Sequence, residues 1–513
     1  MDKNKRILTY VIALIVLAIG VTFAYFVAQT GDGAKSNVNI KADSVDDLKF
    51  SVNKDLSLSA NQFNFAQGSG NLSDSVTATA SLKANSTKKT ATYNYYVYFQ
   101  MESNEYKYTT ENKLPEIVLS ITGPNGEITN VDGLTYVSAS DADGKTINGF
   151  DITELGSSII KIADSFEISS SSSTNYTNQE WVFKVTFINL NTDQTGNQGK
   201  TMTGKVLMQE DKILTLTDYV VSQYTGIQGE NNIYYHDSNL ENGAGDNSYR
   251  FAGANPNNYV CFGSSKETCP TDNLYRIIGA FDGLVKLIKY DYVEAFVLGY
   301  DGDCTRIVSI PGSIYKGQSE RIYRFYWNYK SDTSINDGKG SNEWNTSLLN
   351  TINLNKNYLN YIGTKWSNMI EDATWKVSGH NTTSVTASAM FTAEITNATK
   401  TYGVKDGASK IGLMYASDYG FAAEPSAWKV TLDNYENESI TSTNWMHMGF
   451  SEWTLSPTSS VVSDVFYVSY DGSLTATTAN DSFVAIRPVL YLKASIMKIG
   501  GDGSTNFPFR ISN

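Results

Sequence analysis

The sequence predicts a protein of mixed β and α+β domains: an N-terminal signal or membrane helix, a β-sandwich of the jelly-roll type, and a C-terminal α+β domain. Three observations support this prediction. An uncharged apolar run lies near the N-terminus, apolar and polar residues then alternate over a long stretch, and seven of the eight tryptophans follow residue 250. The expected bounds are 1–33 for the helix, 34–212 for the β-sandwich, 213–250 for a connector with a short helix, and 251–513 for the last domain.

The apolar run covers residues 7–28 and directly follows Lys3, Lys5 and Arg6. About twenty such residues cross the hydrocarbon core of a bilayer. Basic residues before a span stay in the cytoplasm, so we expect the rest of the chain outside the cell. The run is either an uncleaved anchor that holds the chain at the membrane of the cell surface, or a signal peptide whose removal leaves a secreted protein.

The end of this run resembles a known type of signal region. The string Gly20-Val21-Thr22-Phe23-Ala24-Tyr25-Phe26 is similar to the leaders of the TasA/camelysin family of secreted Gram-positive matrix proteins. The resemblance implies cleavage just after Ala24. The sequence departs from the family at Val27-Ala28-Gln29, where a short Ser/Thr-Asp/Asn step is usual. Both fates of the leader therefore stay open.

The composition is typical of a β-rich protein of the cell exterior. The formal net charge of −13 argues against a nucleic-acid partner, because such a partner requires a basic face. The chain has 33 Tyr and 39 Gly but only 3 His and 9 Pro. Tyrosine favours strands, and glycine with asparagine favours the turns between strands.

Alternation with period two predicts the strands of the β-sandwich. Tyr93, Tyr95, Val97 and Phe99 alternate with polar or aromatic neighbours, and the stretch from Trp181 to Phe187 repeats the pattern. Such alternation builds half-buried strands. Many short strands separated by Gly, Asn and Ser turns favour a sandwich or jelly roll.

The C-terminal half mixes predicted strands with predicted helices. In the connector, the spacing of Leu216, Tyr219, Val220 and Tyr224 predicts a short helix. Farther on, two apolar runs flank Phe281-Asp282-Gly283 and predict a hairpin. Residues 348–359 and 366–375 have helical spacing.

Motifs in this half resemble a large family of uncharacterised surface domains from gut Firmicutes. They lie at 258–263, 273–279 and 411–420, at Trp453-Thr454-Leu455-Ser456-Pro457, and at Ile486-Arg487-Pro488-Val489-Leu490-Tyr491-Leu492. The match covers most of residues 228–513 and keeps the order and spacing of the motifs. The tryptophan-rich centre and the terminal Arg-Pro-Val strand are similar to the C-type-lectin/formylglycine-generating-enzyme fold. The resemblance implies a fold and a surface location, and no function.

The three cysteines allow two readings. Cys261 and Cys269 enclose a short loop and would form a disulfide in an oxidising exterior, with Cys304 left over. The alternative is three reduced thiols. No fourth ligand has the spacing of a zinc site, so we expect no metal and no cofactor.

Catalytic patterns are weak throughout the chain. His236, His380 and His447 are the only imidazoles, and none accompanies a recognisable serine or cysteine nucleophile. Asp301-Gly302-Asp303 could hold calcium, but it lacks the further ligands of a calcium loop, which favours a solvated turn. We therefore expect a protein that is not an enzyme.

Aromatic residues favour a binding function, because exposed rings stack on sugars or anchor a protein partner. We expect Trp428 and Trp445 to be partly exposed and, with Tyr467 and Tyr470, to bind an extracellular glycan or protein ligand. The leading hypothesis is a cell-surface or secreted adhesin with a lectin-like domain on a β-rich stalk. The alternative is a self-assembling subunit of an extracellular fibre or biofilm matrix, and a surface enzyme ranks last.

Overall fold

The computed structural model describes residues 46–60, 70–85, 90–293, 295–299, 301–309, 321–329, 334, 336–398, 405–481 and 484–513. The predicted apolar run and the cleavage position at Ala24 lie outside these residues. Within the described ranges, no helix is both long and apolar enough to cross a membrane. The chain is mostly β, with 37% strand and 17% helix. It divides into two compact units, the first ending at Lys212 and the second beginning at Ile213.

The first unit contains two antiparallel sheets. Their strands are β1 Asp47–Val52, β2 Leu56–Ser59, β3 Leu72–Lys83, β4 Ala91–Asn104, β5 Ile117–Gly123, β6 Gly126–Glu127, β7 Thr135–Ser140, β8 Thr146–Asp151, β9 Ser158–Ser170, β10 Thr177–Phe187 and β11 Thr201–Gln209. One sheet has the strand order β1-β3-β10-β5-β8-β7, with β6 paired to β5, and the other has the order β2-β11-β4-β9.

One apolar core joins the two sheets of this unit. Phe99 of β4 stacks on Phe183 of β10 with ring centroids 6.3 Å apart. The Trp181 indole donates to the Tyr95 hydroxyl at 2.9 Å in the same core. Two sheets that share inner-face residues in this way form a sandwich.

The predicted alternation on β4 holds only in part. Tyr95, Val97 and Phe99 are buried as expected, but Tyr98 is also buried. The register between β4 and β9 shifts on both sides of Val97. Such bulges reorient side chains locally, which period two alone does not predict.

The second unit is built around a seven-stranded sheet, with smaller sheets beside it in the chain. Its strands are β12 Ile233–His236, β13 Ser248–Phe251, β14 Tyr259–Cys261, β15 Leu274–Phe281, β16 Leu284–Lys289, β17 Cys304–Ser309, β18 Arg321–Phe325, β19 Ala373–Trp375, β20 Gly407–Ser409, β21 Ile411–Gly412, β22 Glu452–Pro457, β23 Asp464–Val468, β24 Leu474–Thr478, β25 Val489–Leu492, β26 Met497–Gly500 and β27 Arg510–Ser512. The main sheet has the order β12-β13-β15-β16-β25-β21, with β14 paired to β15. The pairs β17–β18, β19–β20 and β26–β27 and the meander β22-β23-β24 form the smaller sheets.

Short helices connect these strands. The α-helices are Leu216–Ser222, Ala295–Leu298, Leu359–Ser367, Ala387–Phe391, Ala416–Ala422 and Glu438–Thr441, and the π-helices are Leu349–Tyr358 and Thr392–Thr396. Turns of 3₁₀-helix lie at Thr195–Asn197 in the first unit and, in the second, at Glu230–Asn232, Thr271–Asn273, Asn336–Gly338, Trp344–Thr346, Pro425–Ala427 and Leu432–Asn434. The helix predicted over 366–375 is wrong, because the chain leaves the helix at Ser367 and forms β19.

Residues 213–250, treated above as a connector, belong to the second unit. They include the predicted short helix, which begins after Thr215, whose side chain accepts the Asp218 N–H. They also supply β12 and most of β13 to the main sheet. Ile233 is buried in the core of that unit, so this segment is held by apolar packing.

Candidate functional site

The two tryptophans expected at a binding surface are core residues. Trp428 is 0% exposed and its indole N–H donates to Ala423 O at 2.9 Å. Trp445 is 4% exposed and donates to Phe251 O at 2.9 Å, while the Arg276 guanidinium lies 4.4 Å from its ring centroid. Their predicted partial exposure is wrong, because a backbone carbonyl satisfies each indole within the packed interior.

The two predicted tyrosines differ from each other. Tyr467 is half-buried and packs edge-to-face on Trp453, with centroids 6.0 Å apart. Tyr470 is 61% exposed and follows β23 at the turn into β24. Its carbonyl lies 3.2 Å from His447 Nε2, and burial lowers the pKa of this histidine. Of the four predicted residues, Tyr470 alone presents a mostly exposed ring.

The other histidines also have local structural contacts. His236 is buried against Phe421 and Trp428, and its Nδ1 accepts the Ala244 N–H at 3.0 Å. Burial holds its pKa well below the usual range. Among the described residues, no group of three or more His, Cys, Asp or Glu side chains is arranged to hold a metal.

The cysteine prediction is confirmed for one pair. Cys261 and Cys269 form a disulfide. Cys304 begins β17.

Several charged side chains are enclosed in the second unit. Asp418 pairs with Lys286 and lies 3.7 Å from Arg250, and Arg487 makes a two-pronged ion pair with Glu452 at 2.9 Å. Because these groups are shielded from solvent and satisfied by one another, they are structural contacts.

A more open arrangement surrounds residues 298–299 and 301–303. Gly299 and Gly302 both have positive φ, 84° and 69°. An added Cβ on Gly299 would lie within 2.3 Å of Asn357 Nδ2, and one on Gly302 would lie within 2.5 Å of Asn353 Oδ1. Only glycine fits at both positions, so the loop packs directly on the π-helix.

Asparagine side chains of the π-helix fix this loop by hydrogen bonds. Asn353 Nδ2 donates to Leu298 O at 2.8 Å and to Asp301 O at 3.0 Å. Asn357 Nδ2 donates to Leu298 O at 2.8 Å and to Asp301 Oδ1 at 2.9 Å. The helix is secured on another side by Asn355, which exchanges two bonds of 2.9 Å with the backbone of Ile411.

Asp303 closes the other end of the loop. Its carboxylate accepts the Tyr329 N–H at 3.2 Å and the Leu349 N–H at 3.0 Å, and burial raises its pKa. The solvated turn expected at Asp301-Gly302-Asp303 is therefore correct for Asp301 and Gly302, which are exposed, and wrong for Asp303, which is buried.

Exposed aromatic rings flank the loop on both sides. Phe296 and Tyr361 are 55% and 47% exposed and meet edge-to-face, with centroids 6.2 Å apart. Beyond Asp303, Tyr326 and Tyr329 stack with centroids 4.6 Å apart, and the Tyr329 ring is exposed. We call Phe296, Asp301, Asn357 and Tyr361 the aromatic site, and Tyr326 with Tyr329 the second platform.

Tryptophan positions do not indicate this site, because its exposed rings belong to Phe296 and Tyr361. One signal was present. Asparagine is unfavourable in helix interiors. Four asparagines nevertheless lie in a stretch with helical spacing: Asn350, Asn353, Asn355 and Asn357. Such a run indicates that the asparagine side chains hydrogen-bond to the backbone of neighbouring segments.

A surface cleft of about 570 Å³ lies elsewhere on this unit. Ala427, Val430 and Ile440 are its apolar lining, and Glu424 and Glu436 are its acidic lining. Trp428 is next to this cleft in sequence but is not part of the lining.

No protein-family model matches this chain, and no curated protein is significantly similar to it in sequence.

Proposed function

We propose that the chain is an extracellular or cell-surface binding protein whose second unit binds a glycan or protein ligand through the aromatic site. The observation that supports this most is the exposed Phe296–Tyr361 pair beside a fixed loop. Asn353 and Asn357 donate four side-chain hydrogen bonds to this loop, and the Asp303 carboxylate accepts two from neighbouring backbone. Exposed aromatic rings on a fixed scaffold lose little conformational freedom on binding.

The proposed location is the cell exterior, with the chain anchored by residues 7–28 or secreted after Ala24. The apolar run and the preceding basic residues support export. The Cys261–Cys269 disulfide agrees with an oxidising compartment.

The proposed fold of the second unit is C-type-lectin-like. The mixture of short helices with a central sheet supports it, as does β25, which directly follows Arg487-Pro488 and lies between β16 and β21. A jelly-roll topology is proposed for the first unit on the basis of its two antiparallel sheets.

The proposed activity is binding without catalysis. His236 is enclosed by aromatic rings, and His447 Nε2 faces the Tyr470 carbonyl. These positions support structural roles for both imidazoles.

The test is an array of glycans and host-matrix proteins probed with residues 34–513, which include every described residue. The double variant Phe296→Ala/Tyr361→Ala is expected to lose the ligand. The matched control is Tyr470→Ala, which removes an exposed ring elsewhere and should retain it. Equal binding by the double variant would refute the proposed site.

A second candidate function is a subunit of an extracellular fibre or matrix. The leader resemblance supports it, and so does β9, a 13-residue strand at the edge of its sheet. The Lys161–Asp164 ion pair and the positive φ of Ser165, 52°, oppose it, because charge and irregularity protect edges from pairing. Residues 34–513 that remain monomeric at high concentration would exclude self-assembly through this edge.

A further inference from the structure

We propose that the aromatic site binds a neutral sugar ring, with Phe296 and Tyr361 against its apolar face and with Asp301 and Asn357 accepting hydrogen bonds from its hydroxyls. This inference rests on the proposed function and names the ligand class of that same site.

The first support is the polar pair. Both hydrogens of the Asn357 amide are used, one by Leu298 O and one by Asp301 Oδ1. The amide plane is therefore fixed, and Asn357 Oδ1 and Asp301 Oδ2 remain as acceptors. A site that presents acceptors selects a ligand rich in donors, and sugar hydroxyls are such donors.

The second support is the position of the Tyr361 ring relative to Asn357 and Asp301. Asn357 lies near the end of the π-helix, and Tyr361 follows four residues later in the α-helix that continues it. Tyr361 meets Phe296, which lies in the short helix before the loop, so the aromatic pair joins the two segments that carry the acceptors. A pyranose has an apolar C–H face bordered by hydroxyls, which matches this order of groups.

The third support is charge. Asp301 is exposed, and among the residues that the structure describes its carboxylate forms no ion pair. A sugar that carries a carboxylate or sulfate would bring like charge to this position. The site therefore favours neutral sugars over acidic ones.

The fourth support is that the loop carrying Asp301 is fixed in place. Gly299 and Gly302 allow the loop to lie against Asn357 and Asn353, so the acceptors are positioned before a ligand arrives. Preorganised groups lose less entropy on binding than mobile ones.

The experiment is a calorimetric titration of residues 34–513 with neutral hexose and N-acetylhexosamine oligosaccharides and with their sialylated and sulfated counterparts. We expect a neutral oligosaccharide to bind at least about tenfold more tightly than its acidic counterpart. Tyr361→Ala should weaken that binding at least about tenfold. Tyr470→Ala is the control and should leave it unchanged.

Asp301→Asn tests the charge argument separately. It keeps an acceptor oxygen but removes the charge, so neutral binding should weaken, because hydrogen bonds to a charged acceptor are the stronger ones. The ratio of neutral to acidic affinity should fall at the same time, because the like-charge repulsion is gone. Circular dichroism must show that each variant is folded. A preference for acidic sugars in the wild type, or full neutral binding by Tyr361→Ala, would overturn the inference.

The outcomes separate this inference from the proposed function. If no neutral oligosaccharide binds but a matrix protein binds and is lost in Phe296→Ala/Tyr361→Ala, the binding function stands and the sugar inference fails. If the array and the titration are both blank with folded protein, both fail.

Discussion

Asn357 Nδ2 donates to Asp301 Oδ1 across 2.9 Å, and this bond joins the exposed end of a glycine-containing loop to a π-helix. The same nitrogen also donates to Leu298 O, where the short helix before the loop ends. One amide thus fixes both the acidic side chain and the backbone that leads from Phe296. The positions of the aromatic rings and the acceptors are therefore coupled through a single side chain.

Gly299→Ala should lower the stability of the second unit by more than its unfavourable backbone conformation alone requires, and it should also disturb the aromatic site. The positive φ of Gly299 alone costs an alanine about 1–2 kcal/mol, and the new Cβ would also overlap Asn357 Nδ2. The matched control is Gly283→Ala, where φ is 82° and no atom lies within 4 Å. Thermal unfolding should show a larger loss for Gly299→Ala, and ligand affinity should fall only in that variant. Equal effects in both variants would contradict the packing of the loop on the helix.

Trp428→Ala should lower the free energy of unfolding of the second unit, although Trp428 does not contact a ligand. Removing a fully buried indole costs about 3–5 kcal/mol. Tyr470→Ala, at a mostly exposed ring, should change the free energy of unfolding by no more than about 0.5 kcal/mol. Denaturant titration of both variants provides the comparison. Similar stability of the two would mean that Trp428 is not part of the core.

Trp428 and Tyr470 illustrate what could and could not be predicted from the sequence. Alternation identified Trp181, Phe183 and Val185 as buried residues of β10, because strand burial is largely a local, period-two property. The exposure of a single ring depends on distant segments: Trp445 is covered because Phe251 O accepts its indole N–H. Likewise, Phe296 and Tyr361 are far apart in the chain, and only the packing of loop on π-helix brings them together. The disulfide could be predicted because its loop is short.

The stability of the second unit should fall as the pH rises through the region between the ordinary and the raised pKa of Glu394. Burial, only partly offset by bonds from Ser417 and Ser456, raises the pKa of this carboxyl to about 7. The folded protein holds the proton that the unfolded chain loses near 4.5, so the stabilisation is complete at low pH and is lost as pH approaches 7. The expected loss is on the order of 3 kcal/mol.

Glu394→Gln isolates this contribution, because glutamine has a similar volume and does not titrate. The unfolding free energies of the wild type and the variant should be measured from about pH 5 to about pH 8. The wild type should lose more stability over that range. Identical slopes would show that Glu394 does not titrate there.

Glu116→Ala should destabilise the first unit. The buried Glu116 carboxylate accepts bonds from Thr109 N and Oγ1 at 2.5 and 2.6 Å, from Gln194 Nε2 at 3.0 Å and from Asn197 Nδ2 at 2.7 Å. Its removal leaves several donors without an acceptor, at a cost of about 3 kcal/mol or more. Glu111→Ala, at an exposed position nearby in sequence, is the control. Calorimetry that shows the same melting temperature for both variants would refute this role.

The most direct measurement is hydroxyl-radical footprinting of residues 34–513 with and without a saturating ligand identified on the array. We expect Phe296 and Tyr361 to become protected from oxidation while Tyr470 stays as reactive as in the free protein. Protection of Tyr470 with Phe296 and Tyr361 unchanged would contradict this expectation, and would place the binding surface at the turn between β23 and β24.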